Sequence, residues 1–268
     1  MGDSPRSLSS DEDLPAQKAA PSEAPTPSWD NPPWSVWEGV AAFAAFWMLQ
    51  KFVGAGLTLL RRSSGMPLDS GNDLFWGVTG VLAADAAVVL LLGAAVFAGG
   101  AERDRRAAAG LRLPTARNAF GALPWLLIGF GAYLLVGVAV AWFAEVKGSQ
   151  PALQESALMI RDTTSTGDLV LACVMAVLVA PLAEELVFRV LLYLPMRKRL
   201  GAVPAVLIVS VVFSAMHVHA WGAAQLFVLS LILVAVIERT RSLWVPVLVH
   251  AAHNAVGIAL LRLGVEGV

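Results

Sequence analysis

The chain has 268 residues, 57% of them hydrophobic and 15% charged, with a formal net charge of -1. Soluble domains run at about 45–50% apolar and about 25% charged, so this composition excludes an ordinary soluble domain. The near-neutral balance carries no footprint for nucleic acid, and the one cysteine, Cys173, excludes an intramolecular disulfide and a cysteine-based metal cluster.

Residues 1–33 read as a disordered, acidic and proline-rich tail. The run Ser7-Leu8-Ser9-Ser10-Asp11-Glu12-Asp13 and the Pro/Ser/Ala stretch after it offer too little apolar surface to offset chain entropy. No basic start leads directly into an apolar core, so the tail is not expected to be a signal peptide. Arg6 stands where the N-myristoylation pattern needs Ser or Thr.

Seven apolar blocks follow, at about 35–60, 74–99, 119–144, 167–194, 202–217, 221–238 and 243–262. About 20 residues of helix cross the hydrocarbon core, and backbone in lipid must satisfy its own hydrogen bonds. The expected fold is therefore an all-α, polytopic transmembrane bundle of seven or eight helices, with membrane lipid as its surroundings. The fifth block is short, and few residues around His219 part it from the sixth, which leaves one kinked or re-entrant segment as an alternative. Arginines 103, 105, 106, 112 and 117, then Arg197, Lys198 and Arg199, then Arg239 and Arg241 fall in alternate loops. The other side holds Arg61, Arg62, Lys147, Arg161 and Arg262. The positive-inside rule puts the tail and the three basic loops in the cytoplasm, with Arg61 and Arg62 the exception. Trp29, Trp34, Trp37, Trp76, Trp142, Trp221 and Trp244 fall near the block ends and read as an aromatic belt.

Ionisable residues inside a membrane cost about 2.5–3.5 kcal/mol each on insertion scales, so they persist where they have partners or work to do. Lys51 and Asp85 read as structural, paired with each other or with a lipid headgroup. The fourth block carries Pro181-Leu182-Ala183-Glu184-Glu185-Leu186-Val187-Phe188-Arg189. Glu185 and Arg189 are four apart and share a helix face. Glu184 is turned about 100° from its neighbour and lacks that partner. The pattern gives Glu185 and Arg189 a scaffold role and leaves Glu184 as the reactive group. An ion cluster that only locks helices is the alternative.

All four histidines lie in the last 52 residues. His217 ends the fifth block, one turn after Phe213, and His219 follows. His250 and Asn254 share a face of the seventh block, with His253 close to it. Two chemistries fit. One is a divalent metal site, zinc by its ligand types, held by Glu184, His217 and His250. The other needs no metal: Glu184 and His217 deprotonate a water, while His250 and Asn254 stabilise an oxyanion. Asparagine is a poor zinc ligand and a good oxyanion donor, and the zinc-protease pattern His-Glu-x-x-His is absent. Both facts favour the metal-free scheme.

Glu-Glu-x-x-x-Arg at 184–189, Phe-x-x-x-His at 213–217 and His-x-x-x-Asn at 250–254, in this order, resemble the CAAX protease and bacteriocin-processing family. The run Glu238-Arg239-Thr240-Arg241-Ser242-Leu243-Trp244-Val245-Pro246 is similar to that family's junction before its last motif. The resemblance covers about 165–262. It implies a catalytic membrane domain there, behind N-terminal membrane helices over 34–164. It further implies an intramembrane endopeptidase in a prokaryotic plasma membrane, acting on a peptide or lipidated-protein substrate. By matching positions, Glu184 and His217 activate water, His250 and Asn254 bind the oxyanion, and Glu185 and Arg189 fill the remaining motif positions. One geometric difficulty stands: His217 lies at the outer end of its block, whereas Glu184 lies nearer the cytoplasmic side. A non-catalytic immunity or scaffold protein and a proton-coupled transporter are the competing function classes, since both also use buried polar clusters.

Overall fold

The computed structural model describes residues 28–65, 73–97, 106, 108–111, 113, 115–116, 120–121, 123–149 and 153–265. Among them are eight helices and no strand: α1 Val36–Ser63, α2 Asp73–Phe97, α3 Leu123–Val146, α4 Glu155–Asp162, α5 Thr166–Leu200, α6 Ala202–Met216, α7 Ala223–Thr240 and α8 Trp244–Arg262. Seven coincide with the apolar blocks, and five of those are long and apolar enough to cross a membrane by length and composition. The chain is an integral membrane protein. The short amphipathic α4 has no counterpart in the sequence reading; it packs on α8 and α2.

Local chemistry sets the boundaries. Ser35 caps α1 in a reciprocal box, its hydroxyl accepting from the Glu38 N–H (3.2 Å) while the Glu38 carboxylate accepts from the Ser35 N–H (2.6 Å). Ser165 caps α5 through the Asp168 N–H at 3.3 Å. Gly201, at φ 87°, turns the chain sharply between α5 and α6, a conformation open to a residue without a side chain. The fifth and sixth blocks are separate helices, Ala202–Met216 and Ala223–Thr240, joined by a short turn. Between them, Val218 has φ 47°. A β-branched residue in the left-handed region is strained by about 1–3 kcal/mol.

Helix α5 is the axis. Its middle and C-terminal half are buried from Ala180 to Met196 with few breaks, under α1, α2, α6 and α8. Gly39 of α1 sits directly on the Leu191 carbonyl, where a Cβ would collide with the backbone, so α1 crosses α5 at closest approach there. Helix α3 packs on α7 and α8; Gly129 faces Ile232, and Trp125 lies under the Arg239 guanidinium at 4.9 Å.

One end of the bundle gathers the basic loops. Asp30 bridges Arg197 (2.9 Å) and Arg241 (3.5 Å), and Asn31 accepts from Lys198. Glu238 accepts from the Tyr193 hydroxyl and pairs with Arg197, both at 2.9 Å. The Gly110 carbonyl accepts from the Leu243 N–H at 2.9 Å, and the Leu111 carbonyl from the Trp244 indole at 3.2 Å. The three basic loops therefore share one face. Residues 28–33, assigned to the tail by composition, also fold onto it: Ser28 and Asn31 exchange backbone hydrogen bonds at 3.0 Å and Trp29 is buried. Charge pairing and one indole hold a stretch whose average composition reads as tail. The rest of the expected tail, 1–27, lies outside the described residues. Trp37 and Trp142 are exposed as belt residues are, whereas Trp29, Trp34 and Trp244 are buried or hydrogen-bonded within the protein. At the opposite end, Arg262 donates to the Arg161 and Thr163 carbonyls at 2.9 Å, tying α8 to the turn after α4.

Candidate active site

The glutamate-bearing turn, Ala180–Glu185, is ordinary α-helix between two π-helical stretches, Met175–Val179 and Leu186–Tyr193. Each stretch precedes a proline, and the two facts are connected. The Ala180 N–H bonds five residues back, to Met175. The next bond in that register would run from residue 181 to the Ala176 carbonyl, but Pro181 has no N–H. The orphaned carbonyl accepts instead from Nδ2 of Asn254, at 2.8 Å. Pro195 repeats the arrangement: the Val190 carbonyl, five residues before it, accepts from the Trp34 indole N–H at 3.0 Å. An unsatisfied carbonyl away from water costs several kcal/mol, so each break needs a donor from another helix.

Between these breaks the carboxylates divide. Glu185 is fully buried and has two partners, the Arg189 Nε at 3.0 Å from Oε2 and the His250 Nδ1 at 3.0 Å from Oε1. The Arg189 contact is a buried i, i+4 ion pair. The guanidinium also packs over Phe213 at 4.9 Å and Phe188 at 5.9 Å. Glu184 keeps its Oε2 free of any hydrogen bond, 3.9 Å from the His250 Nε2. That separation is too long for a direct bond.

His250 is oriented by this arrangement. Its Nδ1 faces a carboxylate that only accepts, so Nδ1 carries a proton and Nε2 points toward Glu184. His217 is fixed likewise: Nδ1 sits 2.8 Å from the Phe213 carbonyl, which leaves Nε2 as the nitrogen open for chemistry. Phe213 is the hub. Its ring, fully buried, lies 4.9 Å from His217, 6.0 Å from His250 and 5.1 Å from Phe188.

Glu185 thus joins Arg189 and His250 directly, Glu184 stands 3.9 Å from His250, and His217 approaches across the Phe213 ring. Asn254 lies one turn beyond His250 with an N–H committed to Ala176. The difficulty over depth is removed by the length of α5, which runs to Leu200 rather than 194. Glu185 lies sixteen residues before Gly201 and His217 sixteen after it. Helical arms of equal residue count thus run from that turn to both.

Other expectations change. His253 does not share the face of His250: it is buried against Tyr133 (4.5 Å) and Phe130 (5.8 Å) of α3 and packs two helices together. His219 lies in the α6–α7 turn, where partial burial and then the charge of His217 hold it below the ordinary histidine value. Asp85 does not pair with Lys51. Positions 50 and 51 point about 100° apart on α1, and Gln50, facing α2, donates to Asp85 Oδ1 at 2.7 Å, while Lys51 is exposed beside Trp47.

The sequence reading uses Phe213 only as a spacing marker for His217, whereas the structure puts its ring between His217, His250 and Phe188.

Among the described residues, no three His, Cys, Asp or Glu side chains form a group able to hold a metal ion. Glu184, His217 and His250 accordingly do not gather into such a group.

Residues 166–256 match the family model described as Type II CAAX prenyl endopeptidase Rce1-like. Over this stretch, about a third of the chain, the protein is similar to the CAAX protease family. The match contains all three motifs and most of α5 to α8, and α1 to α4 lie outside it. No curated protein and no solved structure matches the chain. The likeness is, at the family level, to membrane-embedded CAAX-type endopeptidases.

Proposed function

We propose that the chain hydrolyses a peptide bond inside or at the edge of the membrane, with Glu184 as general base. The observation that carries this reading is the division between neighbours: Glu185 is held by Arg189 and His250, while Glu184 keeps an oxygen without a hydrogen-bond partner. A water bound to Glu184 and to Nε2 of His217 loses a proton to Glu184 as its oxygen attacks the scissile carbonyl. The carbonyl oxygen becomes an oxyanion and is met by His250 through Nε2, whose imidazolium form is stabilised by Glu185 at Nδ1. The C–N bond then breaks as Glu184 returns its proton to the leaving amine. Asn254 has one N–H on Ala176 and a second available to the oxyanion. Water supplies the OH of the new carboxylic acid and one hydrogen of the new amine, so no other reactant is required.

The substrate class is a peptide or lipidated protein whose cleavage site reaches the bundle from the lipid. The N-terminal segment and the basic loops face the cytoplasm of a prokaryotic cell in this reading, which rests on the shared basic face and the positive-inside rule.

The test uses purified protein in proteoliposomes with two fluorescence-quenched peptides, one ending in a farnesylated CAAX sequence and one identical but unprenylated. The wild type is expected to cleave at least one. Glu184→Gln and His217→Ala should each lose at least a hundredfold in kcat while inserting and purifying normally. Full activity in both variants, or no cleavage of either peptide by the wild type, overturns the reading.

A further inference from the structure

Helix α2, outside the family match, brings a third carboxylate to the glutamates. Asp85 stands at the centre of α2, twelve residues from either end, and is fully buried. Gln50 satisfies Oδ1 at 2.7 Å, but Oδ2 is buried without a partner. Helix α2 packs on both Met175–Val179 and Ala180–Glu185, the stretch that carries Glu184. Asp85 lies within electrostatic range of Glu184 across the contact between α2 and α5. Each of the two acids thus has an oxygen buried without a hydrogen bond.

A helix lock does not explain this arrangement. Asparagine at 85 would take the Gln50 hydrogen bond equally well and would bring no charge into the membrane. A half-satisfied carboxylate is a costly lock, because the low dielectric penalises its unpaired oxygen. The arrangement becomes favourable only when one of the two acids holds a proton, since a carboxylic acid donates to a carboxylate in a short, charge-assisted bond.

We infer that Asp85 is a positioning residue for Glu184: once Glu184 has taken the proton of the attacking water, its O–H donates to Asp85 Oδ2. The bond holds the Glu184 acid in place until the proton passes to the leaving amine, and Asp85 itself neither gains nor loses a proton. The interaction is absent in the resting site and present after proton transfer, which is the condition for raising kcat rather than binding. Gln50 keeps Oδ2 aimed by holding Oδ1. The inference rests on Glu184 being the base, as proposed above.

The experiment measures kcat and KM separately for wild type, Asp85→Asn, Asp85→Glu, Gln50→Met and Glu184→Gln, with the cleaved peptide of the preceding test. Asp85→Asn should unfold close to the wild-type temperature, keep KM within about twofold and lose roughly tenfold to a hundredfold in kcat, the lower part of the range for proton-transfer groups. Asp85→Glu, which restores an acceptor, should recover part of that loss. Wild-type kcat in Asp85→Asn, with Glu184→Gln inactive, leaves Asp85 a structural residue and refutes the inference alone. An active Glu184→Gln removes the base assignment as well. Should Asp85→Asn fail to fold, Gln50→Met decides: a lower kcat at unchanged KM supports the inference, and an unchanged kcat overturns it.

Discussion

Replacing Arg189 by methionine tests whether the buried ion pair carries the site. The guanidinium and the Glu185 carboxylate are both fully buried and 3.0 Å apart, with the Phe213 ring 4.9 Å beneath the cation. Removing one partner of a buried pair leaves an uncompensated charge and costs about 3–5 kcal/mol. Loss of the desolvated cation–π contact adds about 2 kcal/mol, which the apolar methionine side chain partly restores against the same rings. The expected net loss is therefore about 4–6 kcal/mol, a large share of the roughly 5–15 kcal/mol by which folded proteins are stable. Glu185→Gln in the same chain removes the stranded charge and still accepts from His250 Nδ1. The double variant should then recover to within about 2 kcal/mol of the wild type, a strong coupling in a double-mutant cycle. Unfolding in detergent, followed by tryptophan fluorescence, measures all four proteins. An Arg189→Met variant within 1 kcal/mol of wild type, or additive effects in the cycle, would show that Glu185 and Arg189 do not depend on one another.

Three further outcomes are expected. Asn254→Ala orphans the Ala176 carbonyl and should destabilise by about 1–3 kcal/mol; most of this penalty should vanish in a Pro181→Ala background, where residue 181 regains an N–H, and an equal penalty in both backgrounds refutes the link. Val218→Gly relieves the left-handed strain beyond His217 and should raise stability by about 0.5–1 kcal/mol after glycine's own entropy cost, read from the same unfolding curves. Peptide cleavage should survive exhaustive chelator treatment; activity lost on chelation and restored by zinc would overturn the metal-free scheme.

Much of this architecture is legible in the sequence because lipid imposes simple rules. Blocks of about 20 apolar residues mark helices regardless of their neighbours, so seven of the eight emerge from composition, and only α4, short and amphipathic, does not. The different partners of Glu184 and Glu185 follow from helical geometry, since Glu185 has a cation at i+4 and Glu184 has none. What periodicity lacks is knowledge of the facing helix. His253 and His250, three apart, look like neighbours on one face, yet Tyr133 and Phe130 claim the first while Glu185 claims the second. Asp85 and Lys51 invite pairing by charge, but rotation about α1 presents Gln50 instead. The apparent depth mismatch of His217 came from ending the fourth block at 194, where Pro195 and the basic residues suggest a stop; the widened helix carries on to Leu200.

The two prolines show how a site of this kind is held open in a membrane. A proline in a water-exposed helix leaves a carbonyl that solvent can satisfy, whereas in lipid the donor must come from the protein. Here Asn254 meets Ala176 and Trp34 meets Val190, so each break in α5 ties it to another helix at a fixed height. The two ties fall fourteen residues apart, on either side of Glu184, Glu185 and Arg189. The pair of breaks therefore fixes the rotation and height of the glutamates against α1 and α8, and through α8 against His250. Weakening either tie should disturb catalysis without touching a reacting atom. Trp34→Phe keeps the ring and removes the N–H, and it should lower kcat more than it raises KM; a purely structural tie would instead lower the unfolding temperature and leave kcat unchanged.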